Sequence, residues 1–124
     1  MKKQIIISLI ALLLVSAYAI VQSGSIEASP RLEVSYAKDV RPILESRCGN
    51  CHMGEFSSEG LNMDTYEGLL AGSQNGAVII PGNSRESLLA RKISKGEMPK
   101  RGPKLTPEQV QIIIDWINAG AQNN

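Results

Sequence analysis

The 124-residue sequence predicts a small all-α fold of about four short helices with long loops. Three observations carry that expectation. Four segments repeat apolar residues at helical spacing beside capping residues. No stretch alternates at period two for long enough to make a convincing strand. The connections between the helical segments are rich in Gly, Pro, Ser and Asn.

The first helix is expected from about Asp39 to Arg47, with Asp39 as its cap. Pro42 falls in the first turn, where its missing N–H has no intrahelical partner to lose. Val40, Ile43 and Leu44 supply the apolar stripe, and the segment runs directly into Cys48. The second is expected over Thr65–Ala71, with Asp64 as cap and Gly72 as stop. The third is expected over Ser84–Ile93, capped by Asn83 or Ser84 and carrying Leu88, Leu89 and Ile93 on one face. The turn-forming Ile80-Pro81-Gly82-Asn83 precedes it. The fourth has the clearest signature: Thr106 as N-cap, Pro107 at N1 and Gln109 completing a capping box. Val110, Ile113, Ile114 and Ile117 follow at helical spacing up to Gly120. Loops this long are uncommon in a compact domain unless something organises them.

The N-terminus reads as an export signal. Lys2 and Lys3 precede an apolar run from Ile5 to Val15, and Ala17-Tyr18-Ala19 fits a small-x-small cleavage site. Residues 1–19 are therefore expected to be removed. The alternative is an uncleaved anchor reaching to about Val21, since the apolar character spans about 17 residues. Either way the rest of the chain is delivered to a periplasmic or other extracytoplasmic space. No cysteine lies near residue 20, which excludes a lipid-modified N-terminus. Residues 20–34 form a polar linker, and residues 35–124 a single domain.

Removing Lys2 and Lys3 turns the formal charge of +1 into a slight acidic excess, with strong segregation. From Arg31 to Glu67 there are four basic and seven acidic residues. From Arg85 to Lys104 there are seven basic residues (Arg85, Arg91, Lys92, Lys95, Lys100, Arg101, Lys104) against Glu86 and Glu97. That segment reads either as an ordinary solvated face or as a patch that steers an acidic partner.

Cys48-Gly49-Asn50-Cys51-His52 is the pattern of covalent haem attachment. Two thiols three positions apart reach the two vinyl groups on one porphyrin edge, and the next residue offers its imidazole to the iron. The competing chemistries fit less well. A structural zinc site needs four protein ligands, and this chain has two Cys and one His in all. A redox CxxC of thioredoxin type belongs in a βαβ setting, which the pattern lacks. One haem c is therefore expected, bound through Cys48 and Cys51, with His52 on the iron. A large apolar group would also help a domain of this size complete its core.

With His52 the sole histidine, the remaining good axial ligand is a methionine thioether. Met53 adjoins His52 and cannot readily reach the opposite face of the ring. Met63 reads as core filler beside a turn. Met98, in the Gly/Pro-bounded Lys95-Gly96-Glu97-Met98-Pro99, is the expected ligand. His/Met ligation leaves no open site and directs the reading toward electron transfer rather than oxygen or peroxide chemistry.

At this point the sequence resembles the monohaem class I cytochromes c, and more narrowly the planctomycete-type cytochrome c domain. The resemblance covers roughly Tyr36 to Ala121. It rests on Asp39-Val40-Arg41-Pro42-Ile43-Leu44, the Cys48–His52 motif, Ile80-Pro81-Gly82-Asn83-Ser84, Ser87-Leu88-Leu89, Met98-Pro99, and Leu105-Thr106 through Trp116 to Ala121. It implies a cytochrome c fold in which the first and last helices cross beside the haem, with His52 and Met98 on its opposite faces. Family members often carry a second proline after Met-Pro; here Lys100 stands in its place, making the ligand loop more basic. Trp116 is expected against the haem or in the helix–helix core, Tyr36 and Tyr66 in packing or toward the haem propionates, and Pro81 and Gly82 in shaping a loop.

The leading functional reading is a one-electron carrier between redox partner proteins, with docking at Arg85–Lys104 and no nucleic-acid role. Membrane association would come through an uncleaved N-terminal helix alone. The alternatives are a haem subunit of a larger dehydrogenase or oxidase, and a ligand-binding or peroxidase-like haem protein. The last is disfavoured by the absence of a distal His or Arg pattern.

Overall fold

The computed structural model describes residues 33–124, and four α-helices form among them. They are α1 (Arg41–His52), α2 (Tyr66–Ala71), α3 (Leu88–Ser94) and α4 (Pro107–Asn118). A π-helical turn over Tyr36–Val40 leads into α1, and a single 3₁₀ turn over Ser58–Gly60 precedes α2. No strand forms among the described residues beyond a lone antiparallel bridge between Ser73 and Gly76. The small all-α fold expected from the sequence is the fold observed. The export-signal reading of residues 1–19, and the linker up to residue 32, lie outside the described residues. No helix of the described residues is long and apolar enough to cross a membrane.

Three helix starts differ from expectation, and the hydrogen bonds around each give the reason. The first helical run starts earlier than Asp39. Ser35 is the cap, its hydroxyl accepting from the Lys38 N–H, while the Asp39 carboxylate accepts from the Ser35 N–H at 2.8 Å. At the other end the helix continues through Cys48–His52, since Gly49 alone weakens a helix by only about 1 kcal/mol. At α2 the cap is Thr65, which accepts from the Gly68 N–H at 3.0 Å. Asp64 accepts instead from the Gly54 N–H at 2.8 Å and so closes the loop that follows α1. Gly72 ends α2 at φ +86, where an added Cβ would stand 2.6 Å from the Gly76 carbonyl oxygen. At α3 the start moves from Ser84 to Leu88. The Asn83 side chain accepts from the Glu86 N–H, and the Ser84 N–H donates to Asn118 Oδ1, which holds Ser84–Glu86 in a turn. The fourth helix has the expected Thr106/Gln109 capping box with Pro107 in its first turn.

Apolar side chains from all four helices meet in one core. Val40, Leu44, Leu69, Ile113, Trp116 and Ile117 are fully buried within it. Burying an aliphatic or aromatic side chain of this size stabilises by about 1.5–3 kcal/mol, so these residues dominate the fold. The π-helical turn packs against both α1 and α4, and α3 packs against α4. Tyr36 stacks on Trp116 at 5.4 Å between ring centroids and meets Tyr66 edge-on at 5.2 Å. The Trp116 indole N–H donates to the Gln122 carbonyl, and the Tyr66 hydroxyl donates to the Ala121 carbonyl. All three aromatic residues therefore serve the packing of the π-helical turn against α4 and the C-terminal residues. Asn124 completes the junction: its carbonyl accepts from Ala37 N–H and the Ser35 hydroxyl, and its side-chain oxygen accepts from Tyr36 N–H.

Candidate functional site

Because α1 runs on past Arg47, Cys48, Cys51 and His52 occupy its last two turns on a rigid element. Residues three apart on a helix share a face, so the two thiols project to one side one turn apart. They are unpaired: Cys48 is half-buried against the core and Cys51 is exposed. Burial, reinforced by the charge Cys51 would carry, pushes the Cys48 thiol up to about 11. A redox CxxC depends on a depressed thiol that is a ready thiolate. Cys48 has the opposite character and stays a thiol at neutral pH.

His52 ends the helix half-buried, and its Nδ1 is a buried atom with no hydrogen-bond partner among the described residues. Arg47 Nε, on the other side of the two cysteines in sequence, is buried and unpartnered as well. Buried polar atoms are nearly always paired, and here two without a partner among the described residues flank one short motif. Imidazole, thiol and guanidinium beside an apolar core margin form a donor set that suits a haem: sulfur for its vinyl groups, nitrogen for its iron, a cation for an anionic substituent. Nothing in the local sequence marks Arg47, a half-buried residue whose Nε is shielded by the way α1 packs. Among the described residues no group of three or more His, Cys, Asp and Glu is arranged to hold a metal ion.

The three methionines separate by environment. The Met53 thioether lies along α1, with its sulfur 3.2 Å from where a Cβ on Gly49 would stand. Met63 is buried in the core, and its N–H donates to the His52 carbonyl at 2.7 Å, so it braces the loop after the motif. Met98 stands at the margin of the same core, half-buried, in the loop after α3. That loop is tied down at several points. The N–H groups of Glu97 and Met98 both converge on the Lys92 carbonyl, at 2.9 and 3.3 Å. The Lys92 ammonium pairs with the Glu97 carboxylate at 2.9 Å, and the Lys104 ammonium donates to the Pro99 carbonyl. Cys48 and Met98 thus both pack at the edge of one apolar core, from different elements. Around Met98, Arg91, Lys95, Lys100, Arg101 and Lys104 are all exposed.

Compared with known families, residues 48–102 match the one described as planctomycete cytochrome C, a span that begins at Cys48 and ends beyond Met98. Neither the curated proteins nor the solved structures compared with the chain match it.

Proposed function

We propose that this chain, which carries a planctomycete-type cytochrome c domain, is an exported monohaem cytochrome that carries single electrons between redox partners, with His52 and Met98 on the haem iron. The reading rests on one observation above the others: a helix end that presents two unpaired thiols and a histidine with an orphaned ring nitrogen. The chain's two cysteines suffice for one attachment, and its single histidine leaves a thioether as the second ligand.

When bound, the haem supplies a one-electron iron couple. The chain's own residues do the rest. Cys48 and Cys51 would hold the group covalently, as thioethers to its vinyl substituents. His52, at the end of a packed helix, offers a ligand in a fixed position. Met98 offers a soft sulfur from a loop whose hydrogen bonds to Lys92 and Lys104 limit its motion. Thioether ligation favours the reduced iron and raises the potential relative to two imidazoles. With His52 and Met98 both on the iron, no open position would remain for substrate, which favours a carrier over an enzyme. The exposed cations of Arg85–Lys104 surround Met98 in sequence and steer acidic partners to that side.

The test is covalent loading. Expressed with a cytochrome c maturation system, the protein keeps its haem through denaturing electrophoresis and gains the mass of one haem. Substituting Cys48 and Cys51 together with alanine removes both signs. A wild-type chain that releases its haem on denaturation, or takes none, contradicts the proposal.

A further inference from the structure

The loop between α1 and α2 carries a side chain that the fold does not use. Phe56 is 95% exposed, the most exposed large apolar residue among those described. Single exposed apolar residues are ordinary on a protein surface. Phe56 differs in the way it is held. The Ser57 hydroxyl donates to the Gly54 carbonyl, Gly54 N–H donates to Asp64, and Gly60 N–H donates to the Ser57 carbonyl. The Glu59 carboxylate accepts from the side chains of Gln74 and Asn75. The ring therefore stands on a braced loop, so little loop entropy is lost when it is buried in an interface. Its surroundings in the chain are acidic: residues 48–84 hold Glu55, Glu59, Asp64 and Glu67 and no Lys or Arg.

A complementary feature lies between α3 and α4. A groove of about 510 Å³ runs past Ile93, Leu105, Pro107 and Val110, with Lys95 and Lys104 at its sides. The groove is open to solvent, with apolar side chains beside Ser94 and the two lysines, and its charge is opposite to that of the Phe56 loop.

We infer that one acidic partner of the basic segment is a second copy of this chain, with Phe56 of one molecule seated in the Ile93/Leu105/Val110 groove of the next and Glu55 facing Lys95. This deepens the docking part of the proposed function and rests on it. The contact joins two different surfaces, so it is heterologous: each molecule keeps one free knob and one free groove, and assembly proceeds beyond the dimer unless a ring closes. The loop next to the attachment motif of one copy would then lie beside the Met98 loop of another.

Sedimentation velocity on the haem-loaded protein tests this, with haem absorbance recorded in the same run. At low ionic strength the weight-average mass should rise with concentration past that of a dimer, and fall toward the monomer in about 0.5 M salt. Phe56→Ser should weaken association about tenfold or more, as loss of an interface anchor does. Glu55→Lys and Lys95→Glu should each weaken it, and the double variant should restore it; neither side chain has a hydrogen bond among the described residues. A haem-loaded protein that stays monomeric at every concentration overturns the inference and leaves the carrier reading intact. Association that is indifferent to Phe56→Ser, or charge reversals that do not rescue one another, also overturns it. Absence of haem absorbance strikes at the carrier reading, while the sedimenting mass still judges the contact.

Discussion

Ser87 is the buried polar residue on which the fold around the Met98 loop depends, and replacing it with alanine should be costly. Its side chain is fully buried. The hydroxyl accepts from the Ile80 N–H at 2.8 Å and donates to the Asn83 carbonyl at 2.8 Å. These two bonds fasten the Ile80–Asn83 turn to the start of α3, the helix whose Lys92 carbonyl anchors Met98. Each bond contributes about 1 kcal/mol net, and leaving the Ile80 N–H without its acceptor adds roughly 1–2 kcal/mol. Ser87→Ala should therefore destabilise by about 3 kcal/mol. For a domain of this size that lowers Tm by roughly 12–24 °C. Urea unfolding of the haem-loaded protein, followed by far-ultraviolet circular dichroism, reads the change as a lower midpoint at constant slope. Ser84→Ala is the control, since only the Ser84 main chain is engaged, with Asn118. A loss below about 0.5 kcal/mol for Ser87→Ala, the size of an ordinary surface effect, would refute the reasoning.

Two further outcomes follow from the junction of the chain's ends. Among the described residues the buried Tyr36 hydroxyl has no well-formed hydrogen bond, with the Arg41 guanidinium nearby, so Tyr36→Phe should leave stability unchanged or raise it by about 1 kcal/mol in urea unfolding; a loss above 1 kcal/mol would show that the Arg41 contact contributes. Burial pushes that hydroxyl above the ordinary tyrosine value of 10, with the nearby Arg41 charge opposing part of the rise. The folded state thus holds the proton more tightly than the unfolded chain, and stability falls as pH rises past that value. The gap between variant and wild type should widen from pH 9 to pH 11, and parallel curves would contradict the sign. Asn124→Ala removes the acceptor for the Tyr36 N–H while keeping the main-chain bonds, and should cost about 1 kcal/mol, as loss of a helix cap does. An unchanged Tm would show that water replaces it.

How much was legible in the sequence depends on the range of the interaction that decides each feature. The Thr106/Gln109 capping box is a local device with both partners inside four residues, and it forms as read. The all-α class likewise follows from periodicity within single segments. The starts of α1, α2 and α3 were misplaced where several Ser, Thr, Asn and Asp residues compete to cap. At α2, Asp64 is drawn away to Gly54, ten residues back, and Thr65 caps in its place. At α3, Ser84 is held by Asn118, thirty-four residues away, a partner that no local reading exposes. Trp116 could be read either way from sequence; its stacking on Tyr36 puts it in the helix–helix core. The Cys48–His52 pattern is local, and the span that matches the planctomycete cytochrome C family begins at Cys48. The shielding of Arg47 Nε and the orphaned nitrogen of His52 were not legible, since both depend on how α1 packs.

The central claim, a covalently held haem between His52 and Met98, is tested most directly by the far-red charge-transfer band of the oxidised protein. That band reports sulfur on the iron. The account predicts a low-spin wild type that shows it, a Met98→Ala variant that lacks it while keeping its covalent haem, and a Met63→Ala variant that retains it. A high-spin wild type that shifts on adding carbon monoxide or peroxide, or a band that survives Met98→Ala, would contradict the account.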